Sequence, residues 1–129
     1  MLVLPIKKKW FDMIVSGEKK EEYREIKPYY TVRFRNAMYG VGRVRASDPE
    51  YLGWNWIILR NGYNRNAPFV YAKVKIRIGK GKPEWGAEPD TDYYVLEILD
   101  LMSKDLKSIP NGVSKKDSGK KSIRNQTGS

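Results

Sequence analysis

The sequence predicts an α+β fold that is mainly β, a small mixed β-barrel of about five or six strands with two short helices. Three observations predict it. Residues 69–78 alternate, with Val70, Ala72, Val74, Ile76 and Ile78 facing one way and Tyr71, Lys73, Lys75 and Arg77 the other. Residues 93–99 are apolar at most positions on both faces, as a strand covered on both sides would be. Helical periodicity is confined to two short segments near the N-terminus, and the strands otherwise follow in close succession.

Residues 2–6 read as a short apolar strand closed by Pro5 and Ile6. From Lys7 to Ser16 the pattern turns helical, with Trp10, Met13 and Ile14 on one stripe and Lys8, Lys9 and Asp12 mostly off it. Gly17 is the expected stop. Residues 20–26 are strand-like, and Pro28 suits the first turn of a second helix. There Tyr30, Phe34 and Ala37 repeat at helical spacing while Arg33 and Arg35 project elsewhere. Residues 39–53 read mostly as loop, with one short strand near 42–46. Trp56 to Arg60 forms the next strand, and Asn61-Gly62 behind it is a hairpin signal. Gly79, Gly81 and Pro83 end the alternating strand. After Leu101, Ser, Lys, Asn and Gly dominate and no period survives, so a single domain over residues 1–103 is followed by a disordered basic tail over 104–129.

A chain of 129 residues holds one hydrophobic core. The formal net charge is +10, but residues 1–101 hold 18 Lys and Arg against 13 Asp and Glu, and residues 102–129 hold 7 against 2. Half of the excess therefore lies in the tail, and the folded part is only mildly basic. That balance favours a polyanion as partner without demanding one. With no cysteine and no histidine, disulfides are excluded, the usual ligands of zinc are missing, and the commonest general base is absent. We therefore expect no cofactor and no metal site. Leu2-Val3-Leu4 is too short an apolar run for a signal peptide, and no run approaches the length of a membrane span. The expected location is cytoplasmic, with no membrane partner.

The residues richest in chemistry are 17–24, Gly-Glu-Lys-Lys-Glu-Glu-Tyr-Arg, in which Gly17, Lys19, Glu22 and Arg24 fit the pattern G-x-K-x-x-E-x-R. Gly17 can take the positive φ that ends a helix. Lys19 is then expected in an exposed turn, reaching over a cleft that Glu22 and Arg24 face together from the following strand. Two cations and one carboxylate in a small area suit a phosphate or a polar base edge. The octapeptide, with Trp10 in the helix before it and Pro28-Tyr29-Tyr30 after it, resembles the signature of the ASCH domains, a branch of the PUA-like folds found in many small prokaryotic and phage proteins. The resemblance covers roughly residues 2–101 in order of elements, and only the four motif positions are specific. It implies a PUA-like barrel and a role in RNA biology.

Some ASCH-like proteins are hydrolases of acylated pyrimidine nucleosides, and others have been assigned ribonuclease activity. In the amidohydrolases a lysine at the position of Lys19 is catalytic, and a threonine, the nucleophile, stands where this chain has Glu22. The hydroxyl is missing here, and neither Ser16 nor Thr31 fits the motif position. A Lys19–Glu22 pair would have to work as base and electrostatic stabiliser instead.

Further candidates lie in turns. Arg60 and Tyr63 flank the Asn61-Gly62 turn and offer a cation and a stacking face, although the hairpin alone explains the turn. Residues 80–86 contain Gly81-Lys82 followed by Pro83, with a strand next, which excludes a P-loop. There Glu84 and Trp85 either line a cleft at one barrel end or, in the case of Trp85, plug the core. Arg33 joins the candidate nucleic-acid contacts. The basic row Tyr71, Lys73, Lys75 and Arg77 reads as the wet side of a sheet. Three functions stay open: a module that binds nucleic acid, RNA above all, around Lys19, Glu22 and Arg24; a hydrolase of RNA or a modified nucleoside at the same cleft; and a protein-interaction module in which the motif braces the barrel. Full burial of Glu22 and Arg24 against each other would mark a bracing motif.

Overall fold

A computed structural model describes residues 1–38 and 51–103 of the chain. Their elements are β1 (Val3–Ile6), α1 (Lys8–Val15), β2 (Glu21–Arg24), α2 (Pro28–Met38), β3 (Tyr51–Asn61), β4 (Phe69–Lys80) and β5 (Asp92–Ser103), with a short 3-10 turn at Pro83–Trp85. The five strands form one curled, half-barrel sheet in the order β1-β3-β4-β5-β2, so the molecule is mainly β with two helices. Only β1 and β3 pair in parallel; the other three pairings are antiparallel.

The alternation of β4 sets the inside of the half-barrel. Val70, Ala72, Val74 and Ile76 are buried and pack with Leu4, Ile6, Ile57, Leu59 and Leu96. Helix α2 closes this side through Phe34, which is stacked on Tyr30 and meets Tyr94 of β5 edge-on with ring centroids 5.3 Å apart. A 2.5 Å hydrogen bond between Thr31 Oγ1 and the Tyr94 hydroxyl fixes the same helix to the sheet. Helix α1 buries Phe11 and Ile14, so its inward stripe is centred on Phe11, whereas Trp10 and Met13 of the expected stripe stand half-buried beside it. Three consecutive residues of β5 show why its hydropathy is not alternating: Tyr94, Val95 and Leu96 are buried in succession, the middle one on the outer face, and coverage ends at Leu99, the extra residue of a bulge opposite Lys73 and Val74.

On the outer face Arg77 lies between Glu97, at 2.6 Å, and Glu21, at 3.5 Å, and Lys73 stands 4.8 Å over the Trp54 ring. The basic row of β4 is thus engaged within the sheet at these positions, in keeping with a solvated face.

Two strands run longer than their sequence suggests. β3 begins at Tyr51, so residues 51–53, expected as loop, are strand: Gly53, at φ +124°, carries a bulge that lets the ladder to β4 continue past it. β5 continues to Ser103 rather than stopping at Leu99. The rest of the expected loop, including the strand near 42–46, and the tail 104–129 lie outside the described residues.

The strand order has one consequence for function. β1 and β2 are joined through α1, yet they lie at opposite edges of the sheet. The open seam of the half-barrel runs between them, and the motif residues stand at that seam.

Candidate functional site

Helix α1 ends as expected at a glycine: Gly17 has φ +88° and donates its N–H to the Ile14 carbonyl at 3.0 Å. The Lys19 N–H then bonds back to the Met13 carbonyl at 2.9 Å, folding the turn under the helix. This directs the Lys19 side chain inward. It is only 1% exposed, which corrects the expectation of an exposed turn lysine reaching over a cleft. Its Nζ donates to Glu22 Oε1 at 3.0 Å and to the Glu21 carbonyl. The rings of Trp10 and Tyr23 lie 5.5 and 4.9 Å from the ammonium, within cation–π range. Burial pushes the Lys19 ammonium below its ordinary range, and the facing Glu22 only partly offsets this.

Glu22 and Arg24 pair opposite Leu96 and Tyr94 of β5, so both project to the inner side of the sheet. Glu22 Oε2 accepts from Arg24 Nε at 3.1 Å and Nη2 at 2.7 Å, while its other oxygen holds Lys19. Arg24 Nη2 also donates to the Pro5 carbonyl of β1 at 2.8 Å, and Nη1 to the Tyr30 hydroxyl of α2 at 3.3 Å. One side chain thereby ties both edges of the sheet and the second helix together. Burial opposes the Arg24 charge, but Glu22 and Tyr30 outweigh it and raise its proton affinity. Glu22 is buried but Arg24 is only half-buried, so the two are not fully buried against each other: Lys19 and Glu22 hold the guanidinium from the interior while it keeps a face toward solvent.

A loop covers this interior from the other side. Gly81 lies so close to Tyr23 that a Cβ there would stand 2.6 Å from the ring, and the Tyr23 hydroxyl accepts from the Lys82 N–H at 2.9 Å while donating to Glu21 Oε1 at 2.8 Å. Gly86, at φ +102°, passes the edge of Trp10. Trp85 is half-buried with the Lys82 ammonium 4.8 Å over its ring, and Glu84 is exposed. Glu84 and Trp85 therefore belong to the cover over Trp10 and Tyr23, not to a cleft shared with Arg24.

The cleft opens instead on the far side of Arg24, at the seam. A cavity of about 480 Å³ is lined by Arg24, Lys27, Arg33, Tyr29, Tyr30 and Tyr63, together with Pro28 and residues 2–5. It contains three cations, three tyrosines and, among the described residues, no carboxylate. Tyr29 stands edge-on to Tyr30 at 5.0 Å, and the Arg33 guanidinium lies 3.6 Å over the Tyr29 ring. Tyr63, 83% exposed, reaches this cavity from the β3–β4 loop. Arg60 holds that loop in shape, donating from Nε to the Gly62 carbonyl at 3.1 Å and from Nη2 to the Tyr63 carbonyl at 3.4 Å.

The nine candidate residues thus divide. Arg24, Arg33 and Tyr63 meet at one cavity; Lys19 and Glu22 lie behind it in the interior; Gly17 shapes the turn, Arg60 the hairpin loop, and Glu84 and Trp85 the cover. Lys19 does not line the cavity, so no geometry supports it as a general base toward a ligand there. Lys27, Tyr29 and Tyr30 were missed as site residues. Their signal was present in Lys27-Pro28-Tyr29-Tyr30, a basic residue ahead of a helix start that carries two adjacent aromatics. Among the described residues, no group of three or more Asp and Glu comes together to hold a metal ion. No helix among them is long and apolar enough to cross a membrane. Comparison with protein-family models, curated proteins and solved structures finds no match to this chain.

Proposed function

We propose that this chain is a nucleic-acid-binding module of the ASCH type, which seats a nucleotide of single-stranded RNA in the cavity beside Arg24. The observation that carries this reading is the lining: three cations and three tyrosines with no carboxylate among the described residues. Guanidinium and ammonium groups take phosphate oxygens, and phenol rings take the face of a base. A volume of about 480 Å³ falls within the range usual for small-molecule sites. The motif supports the site from behind. Glu22, held by Lys19, fixes the Arg24 guanidinium, so the cation meets a ligand already oriented. RNA, rather than DNA, comes from the ASCH resemblance and is part of the proposal.

The test is fluorescence anisotropy of labelled single-stranded RNA with the full chain and with a Lys27→Ala/Arg33→Ala double variant. The basic tail is common to both and contributes equally. We expect the double variant to bind at least about tenfold more weakly, with a shallower salt dependence as phosphate contacts are lost. Equal affinity and an equal salt slope would place binding elsewhere, and tighter binding of matched DNA would remove RNA from the proposal.

A further inference from the structure

A second cavity, of about 460 Å³, adjoins the first and shares Leu2 and Arg33 with it. The two differ in character. The first is cationic in its side chains, whereas among the described residues Arg33 is the only charged side chain lining the second, where it stands with Met1, Asn36 and Asn55. We infer that the site takes two successive nucleotides, with the phosphate that joins them over Arg33 and the second base beside Asn36. This rests on the function proposed above and extends it from one nucleotide to two.

Arg33 is built for the boundary. Its Nη1 donates to the Tyr29 carbonyl at 3.0 Å, and its guanidinium lies on the Tyr29 ring, so the group is held in place. No carboxylate pairs with it among the described residues. A guanidinium has five N–H donors, and among the described residues one is used, which leaves an edge for two oxygens of one phosphate.

The second cavity offers a base both a wall and a reader. Leu2 and the half-buried Trp56 supply apolar surface. The Asn55 amide is engaged at both ends: Nδ2 donates to the Ala37 carbonyl at 2.8 Å and Oδ1 accepts the Trp56 N–H at 2.7 Å. Asn36 is different. It is exposed on α2, and among the described residues its amide has no partner, so it retains a donor and an acceptor side by side for a base edge. Asn36 is thus the specificity-determining residue of this half of the site.

The experiment measures calorimetric affinity of the full chain for the four nucleoside 5′-monophosphates and for the matching 5′-phosphorylated homodiribonucleotides. The best dinucleotide is expected to bind about tenfold or more tighter than its mononucleotide, as a second stacked and read base would provide. Asn36→Ala, a substitution by a strong helix former at an exposed position, should remove most of that advantage while leaving mononucleotide affinity and the melting temperature unchanged. If dinucleotide and mononucleotide bind the wild-type chain equally, or if Asn36→Ala weakens neither, the two-nucleotide site is overturned while the single-nucleotide reading stands. If neither class of ligand binds, both readings fall together.

Discussion

Lys19 and Arg33 carry the same charge and both stand over tyrosine rings, yet one is interior structure and the other is open to a partner. Lys19 lies in a buried chain of ions in which Glu22 bridges two cations, and Arg24 carries that chain across the seam to Pro5. Arg33 lines two cavities, with no carboxylate against it among the described residues. The difference teaches that a cation's role here is set by where its compensation comes from. Inside, Glu22 provides it and removal is felt as lost stability. At the cavity Arg33 is exposed and solvent compensates it, so under the proposed function its removal should be felt as lost binding rather than lost stability.

Glu22→Ala should break the interior side of this contrast most severely. It strands Lys19 away from water and takes the carboxylate from the half-buried Arg24, and we expect a loss of about 4 kcal/mol in urea unfolding, enough to leave part of the chain unfolded near body temperature. A loss below about 1 kcal/mol would show that the ion chain does not hold the seam. Lys19→Met comes next. It keeps an unbranched stem against Trp10 and Tyr23, and Glu22 retains Arg24, so a loss of about 2 kcal/mol is expected. RNA affinity, measured where the variant is folded, should remain within about threefold of wild type. A large loss of affinity with full stability would return Lys19 to the binding surface.

Lys27→Ala and Arg33→Ala should do the reverse. Each is expected to change stability by no more than about 0.5 kcal/mol, because the Lys27–Glu25 pair is exposed and Arg33 is paired with no acid among the described residues. A larger shift in the melting midpoint would mean that the cavity wall is itself a brace.

The smallest effect sharpens the account of the cover. Burial raises the Tyr23 phenol above its usual range. A group with a raised folded pKa contributes stability that is complete below its unfolded pKa, about 10 for tyrosine, and that declines as pH climbs beyond it. Tyr23→Phe should therefore be less stable than wild type by about 1 kcal/mol at neutral pH, through the lost bonds to Glu21 and Lys82. The gap should narrow above pH of about 10. A gap that stays constant through that range would show that Tyr23 is not protected by the loop.

Much of the fold was legible because it depends on short-range pattern. The alternation of residues 70, 72, 74 and 76 needs only the two-residue period of a strand, and the consecutive apolar residues 93–96 of β5 already implied cover on both sides there. Gly17 ended α1 for a reason internal to one turn. The stripe of α1 was misplaced because Trp10 and Phe11 are adjacent, and which of them faces the core depends on what packs there.

The candidate site was legible only in part. The sequence by itself determined the two-helix, mainly β architecture, the shared face of Glu22 and Arg24, and the cationic and aromatic residue types that can meet a nucleotide. Tertiary structure alone decided which of those residues meet. A lysine in a charged run reads as exposed, and only Trp10, Tyr23 and the loop over them make Lys19 interior. Likewise Arg24, Lys27, Arg33 and Tyr63 come from three separate segments, and the curl of the sheet brings the β3–β4 loop beside β1 and α2. The physical reason is one of range. Backbone periodicity is set by neighbours along the chain, whereas the burial of a charge and the lining of a cavity are set by whichever distant segments supply its compensating partners and its walls.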